Sequence, residues 1–75
     1  APTKKLSASQ KTDLAELDSR YAAKIAEREI ALNSEIAQAA GNFERKEFLR
    51  EQLIRERKKL QAELEEKKEK IRSSK

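Results

Sequence analysis

Large apolar residues are placed symmetrically about one point near the middle of the chain. In each of five pairs, the two residue numbers add up to the same total: Leu14 and Ile71, Tyr21 and Leu64, Ile25 and Leu60, Leu32 and Leu53, and Ile36 and Leu49. The centre of this symmetry falls between Asn42 and Phe43, next to the only glycine, Gly41. A chain that reverses direction there as two antiparallel helices brings each pair to one level of a shared seam. The pattern predicts an all-α fold, a coiled-coil-like antiparallel two-helix hairpin.

A single long helix that pairs with a second chain is the competing architecture. It would place Gly41 inside a helix, at a cost of about 1 kcal/mol relative to alanine. It would also leave the symmetry unexplained, and it would not account for a break in the apolar spacing. Apolar residues recur eleven residues apart within each half, but Ile36 and Leu49 are separated by thirteen across the centre. These features favour the hairpin.

Local signals divide the chain into one helical domain with short tails. Residues 1–7 are predicted to form a flexible tail. Ser7 and Gln10 fit a capping box at the start of a first helix over residues 8–40. Ser9 is an alternative N-cap for this helix. Gly41 suits the left-handed position that follows a helix, and Asn42 suits the N-cap of the next one. The turn is therefore expected at residues 41–42. The second helix is expected over residues 43–72, followed by a frayed tail at residues 73–75.

Some apolar residues remain outside the seam. In the first helix they form a stripe about 100° round from it, at Ala15, Ala22, Ala26, Ile30 and Ala37. In the second helix, Phe43 and Ile54 lie on one flank and Phe48 on the other. Partly covered surface and helix-favouring alanines would explain these residues, but a row of small side chains also allows close approach of another helix. The stripe predicts a docking face on which two hairpins form a homodimeric four-helix bundle or a protein partner binds.

The composition supports an expectation of self-association or of a protein partner. Of the 75 residues, 43% are charged, 4% are aromatic and 36% are hydrophobic, and alanine is the most frequent hydrophobic residue. Such a composition is typical of long helices and coiled coils. The ten large apolar side chains of the symmetric pairs are few for the core of a stable isolated domain of this size.

Several kinds of chemistry have no support in the sequence. The chain has no cysteine and no histidine, which excludes disulfides, imidazole catalysis and the usual zinc ligands. One glycine cannot make a glycine-rich phosphate loop, and no carboxylate occupies an apolar position. We therefore expect no enzymatic activity and no cofactor. With no apolar run long enough to span a bilayer and no visible signal peptide, we expect a soluble, cytoplasmic protein without a membrane partner.

The distribution of charge suggests an alternative function. The chain up to Gly41 has equal numbers of basic and acidic residues, whereas the remainder carries the whole net charge of +4. Four basic residues share one flank of the second helix, at Lys46, Arg50, Arg57 and Lys68. They are candidates for contacts with nucleic acid phosphates in a hairpin dimer. Interleaved glutamates favour an ordinary solvated face instead, so a structural or adaptor protein is the preferred prediction.

A segment around the turn resembles a known docking motif. Residues 36–53 contain an alanine pair before the turn, then Phe43-Glu44, and then Leu49-Arg50-Glu51 followed by Leu53. In these features the segment resembles the UVR motif, the helical hairpin through which bacterial nucleotide-excision repair subunits dock on each other. It departs from that motif at Lys46-Glu47, where two small residues are usual, and its turn is about two residues shorter. The resemblance implies a protein-docking hairpin with Phe43, Leu49 and Leu53 as contact residues.

Overall fold

Two antiparallel α-helices make up the fold, as the symmetry predicts. The computed structural model describes residues 5–74, in which α1 spans Ala8–Gln38 and α2 spans Phe43–Ser73. The all-α hairpin is therefore confirmed, and the chain is not one continuous helix. The first four residues of the predicted N-terminal tail and Lys75 of the predicted C-terminal tail lie outside the described residues. The hairpin is elongated, with dimensions of 56 × 21 × 14 Å.

The first helix ends at Gln38, two residues before its predicted end at residue 40. Ala39 is the C-cap, and its carbonyl oxygen accepts a hydrogen bond from the Asn42 backbone N–H at 2.9 Å. Gly41 has a φ of 92°, the left-handed conformation expected of it, but it lies two residues after the C-cap rather than next to it. Asn42 is the N-cap of α2, as predicted, and its side-chain oxygen accepts from the Arg45 N–H at 3.1 Å.

Gln10 holds the open end of the hairpin together. The predicted capping box is confirmed, because the Gln10 N–H donates to Ser7 Oγ at 3.0 Å and the Ser7 N–H donates to Gln10 Oε1 at 2.8 Å. The Nε2 group of Gln10 also donates to the carbonyl oxygens of Ile71 at 2.8 Å and Ser74 at 3.0 Å. One side chain thus caps the start of α1 and satisfies carbonyls at the end of α2, which runs one residue beyond the predicted Arg72.

The seam between the helices contains all ten residues of the symmetric pairs. Tyr21, Leu32 and Leu49 are buried, and the other seven are half-buried. Near the turn, Leu32, Leu49 and Ala39 form one cluster, against which Ile36 and Leu53 pack. Only four hydrophobic residues among those described are buried, so the core of the isolated hairpin is small.

Ion pairs between the helices have the same register as the apolar seam. Arg28 pairs with Glu56 at 2.6 Å, Glu29 with Arg57 at 3.4 Å and Asp18 with Lys68 at 2.9 Å. The residue numbers of each pair add up to within one of the total found for the apolar pairs. The register that the apolar residues predict is therefore also followed by the charged residues on both sides of the seam.

Candidate protein-docking face

All eight residues predicted to bind a partner are exposed. Among the large side chains, the exposed fraction is 71% for Ile30, 74% for Phe43, 55% for Phe48 and 52% for Ile54. The four alanines of the stripe in α1 are also exposed, at Ala15, Ala22, Ala26 and Ala37. None of these residues contributes to the seam, so all eight are accessible to another chain.

Seven of the eight residues share one broad face of the hairpin, which we name the Ala–Ile face. It consists of Ala15, Ala22, Ala26, Ile30 and Ala37 from α1 with Phe43 and Ile54 from α2. The ion pairs show that these two sets lie on the same side. In α1, Ala22 and Ala26 follow Asp18 at successive helical turns, and Glu29 comes three residues later. Asp18 and Glu29 bind Lys68 and Arg57 of α2, and Ile54 lies one turn before Arg57.

The two isoleucines of the Ala–Ile face lie at one level of the hairpin. Their residue numbers add up to the same total as those of the ion-paired Arg28 and Glu56, which places Ile30 and Ile54 at the same level on the two helices. Ile54 also borders a shallow hollow of ≈ 170 Å³ together with Arg57, Lys58 and Gln61. The bulky residues of the face therefore lie in its half nearer the turn, together with Ala37, and the half nearer the open end has only small residues.

Phe48 lies apart from the other seven residues. Helical spacing places it on the opposite face, where the Arg28–Glu56 pair bridges the helices. This face has a charged groove of ≈ 280 Å³ lined by Lys24, Glu27, Arg28, Glu56, Lys59, Leu60 and Glu63. The Arg28 guanidinium, which donates to both Glu56 carboxylate oxygens, holds the pKa of Glu56 below its usual value, and Glu56 raises the pKa of Arg28. Charged side chains line this groove, whereas on the Ala–Ile side the ion pairs Asp18–Lys68 and Glu29–Arg57 lie beside the exposed apolar residues.

The buried ring of Tyr21 is flanked by two ammonium groups. Lys24 Nζ lies 4.7 Å and Lys67 Nζ 5.2 Å from the ring centroid, within the range of cation–π contact. The Tyr21 hydroxyl donates to Glu63 at 3.5 Å, a long hydrogen bond. These contacts cover the ring from solvent on the charged side of the hairpin.

Three of the four basic residues proposed for nucleic acid contacts bind carboxylates within the hairpin. Arg50 pairs with Glu47 at 2.8 Å, Arg57 with Glu29 and Lys68 with Asp18. The fourth, Lys46, is half-buried. A phosphate would have to compete with these carboxylates at Arg50, Arg57 and Lys68. Nucleic acid binding stays a prediction for these residues.

The described part of the chain contains no group of three or more His, Cys, Asp and Glu residues arranged to hold a metal ion. Within the same residues, neither helix has the length and apolar character needed to cross a bilayer.

Two kinds of residue at these faces were missed by sequence reasoning. The ion-paired acids Asp18 and Glu29 border the Ala–Ile face, and Gln10 closes the open end. The acids have a signal in the sequence, since each has a basic residue at the number that the symmetry assigns to the opposite helix. Gln10 fits a capping box, but its contacts with α2 depend on where the two helix ends meet.

The contact residues implied by the UVR resemblance have different environments. Phe43 is exposed, whereas Leu49 is buried and Leu53 is half-buried between the helices of the same chain. Comparison with protein-family models, curated proteins and solved structures finds no match to the chain. The resemblance stays a prediction.

Proposed function

We propose that this is a non-enzymatic structural or adaptor protein that binds another protein chain through the Ala–Ile face. The first chain that it binds is a second copy of itself, which gives a four-helix bundle. The observation that carries this proposal is the exposure of Ile30, Phe43 and Ile54 on one face, beside a stripe of alanines. Large apolar side chains grouped on one face are typical of a surface that is covered in the working protein.

The large surface of the hairpin supports an associated state. The chain exposes 5899 Å². A compact globular protein of 8.6 kDa would expose about 4700 Å² by the usual scaling of surface with mass. The hairpin therefore exposes about 1200 Å² more than a compact protein of the same mass. Packing a second hairpin against the Ala–Ile face would remove an area comparable to this excess from water. Because the core has few fully buried residues, this added burial would form a substantial part of the total stability.

The test compares two alanine-to-glutamate variants in the same helix. Ala26→Glu places a charge on the Ala–Ile face, whereas Ala31→Glu places one at an exposed position on the opposite side of α1. Both variants change helix propensity equally. We expect wild-type protein and Ala31→Glu to sediment at twice the monomer mass. We expect Ala26→Glu to weaken the dimer roughly a hundredfold or more, because a buried unpaired carboxylate costs several kcal/mol.

Sedimentation equilibrium over a wide concentration range measures this effect, with circular dichroism to show that both variants remain helical. A wild-type chain that stays monomeric at millimolar concentration would overturn the proposed self-association. If Ala26→Glu dimerises as tightly as Ala31→Glu, the Ala–Ile face is not the interface.

A further inference from the structure

We infer that the two copies pack with their turns at the same end of the bundle, so that α1 of each copy lies over α2 of the other. This inference rests on the proposed self-association. The occupant of the Ala–Ile face is then a second Ala–Ile face in one defined orientation. Size, charge and the level of the isoleucines support this arrangement.

The Ala–Ile face is large enough for a stable interface. Its long and intermediate dimensions are 56 and 21 Å. Specific protein interfaces bury about 800 Å² on each partner. The face of one hairpin therefore offers the area that a stable dimer needs without a contribution from the opposite face.

Twofold symmetry allows two ways to stack the faces with the helices aligned. If the twofold axis runs along the bundle, the turns lie at the same end and each helix covers the other helix of its partner. If the axis runs across the bundle, the turns lie at opposite ends and each helix covers its own copy, α1 on α1 and α2 on α2. The two arrangements therefore bring different charges together.

The net charges of the helices are complementary in the first arrangement only. α1 carries four basic and six acidic residues, a net charge of −2, and α2 carries eleven basic and eight acidic residues, a net charge of +3. With the turns at the same end, each helix lies over one of opposite sign. With the turns at opposite ends, α2 lies over α2 and Arg57, near the middle of that helix, approaches its own copy. Like charges brought together in this way oppose association.

The apolar residues favour the same arrangement. Ile30 and Ile54 lie at one level, so hairpins aligned with their turns together bring four isoleucines into a single layer. In the opposite arrangement, fully overlapped hairpins would place Ile30 near the level of Asp18 and Lys68 of the other copy, about 20 Å from the second isoleucine layer by the helical rise per residue. Ile30 would then face the Asp18–Lys68 ion pair of the other copy instead of apolar side chains.

A spin-label experiment distinguishes the arrangements, and the absence of native cysteine makes each introduced cysteine unique. Gln38→Cys places a nitroxide at the turn end, and Ala23→Cys places one at the middle of α1; both positions are exposed. One label per chain means that every measured distance joins two copies. With the turns together, we expect about 30 Å at both positions, from the interaxial spacing of packed helices and the reach of the labels.

The turns-apart arrangement predicts a different result at one position only. Because α1 has 31 residues, it places the Gln38→Cys labels about 50 Å apart by the helical rise while the Ala23→Cys labels stay near 30 Å. That result would overturn the inferred orientation and leave the proposed self-association intact. If neither position gives a dipolar coupling at a concentration where the faces should be occupied, the self-association itself is wrong.

Discussion

Leu32→Asp is expected to unfold the hairpin, with most of the helical ellipticity at 222 nm lost at room temperature. Leu32 has no exposed surface and lies in the cluster with Leu49 and Ala39. The substitution removes the apolar contacts and places an unpaired carboxylate between the helices. We expect a loss of more than about 4 kcal/mol, which is comparable to the whole stability of a small domain.

Ala31→Asp is the matched control for this prediction. Ala31 precedes Leu32 in the same helical turn but is exposed, so aspartate there carries the propensity cost without the burial cost. We expect this variant to lose less than about 1 kcal/mol and to keep the wild-type spectrum. Comparable losses of helicity in the two variants would show that Leu32 is not at a buried level of the seam.

Tyr21→Ala is expected to have the second largest effect, a loss of about 3–5 kcal/mol in the free energy of unfolding, the range for removing a buried aromatic ring. Tyr21 is 1% exposed, and with Leu64 it forms one of the symmetric pairs nearer the open end of the hairpin. The contacts of its ring with Lys24 and Lys67 would also be lost. Urea denaturation followed by circular dichroism measures the change.

Tyr21→Phe separates the ring from its hydroxyl. It keeps the apolar contacts and removes only the long hydrogen bond to Glu63, so we expect a change below about 1 kcal/mol. Should phenylalanine prove as damaging as alanine, the hydroxyl rather than the buried ring would be the source of the stability, contrary to the packing described.

Most of the fold can be predicted from the sequence because the hairpin is built from local signals and one long-range symmetry. Ser7 and Asn42 act through their own backbone neighbourhood, so their residue types are sufficient to locate the starts of the two helices, and Gly41 marks the turn between them. The symmetric apolar pairs reveal the register, because in two antiparallel helices the residue numbers of facing residues add up to the same total at every level. The end of α1 is less certain from sequence, since alanines at 39 and 40 suit a helix as well as a turn.

The candidate docking face is predictable only in part. Helical spacing separates the alanine stripe from the seam, and it places Phe48 away from Phe43 and Ile54. Which ion pairs border that face depends on how the side chains of the two helices meet. The hydrogen bonds from Gln10 to the carbonyl oxygens of Ile71 and Ser74 depend on where the end of α2 lies relative to the start of α1. What covers the face depends on another molecule, so its chemistry is proposed from exposure and charge.

The chain reverses direction at Gly41 and thereby brings residues that are distant in sequence to the same level of the hairpin. Glu16→Cys and Glu69→Cys in one molecule test it directly, because both positions are exposed and belong to opposite helices at one level. With doubly labelled protein diluted in unlabelled protein, the hairpin predicts a label separation of about 20–30 Å, the spacing of two packed helices plus the reach of the labels. A separation of about 80 Å, the length of an unbroken helix between these positions, would contradict it.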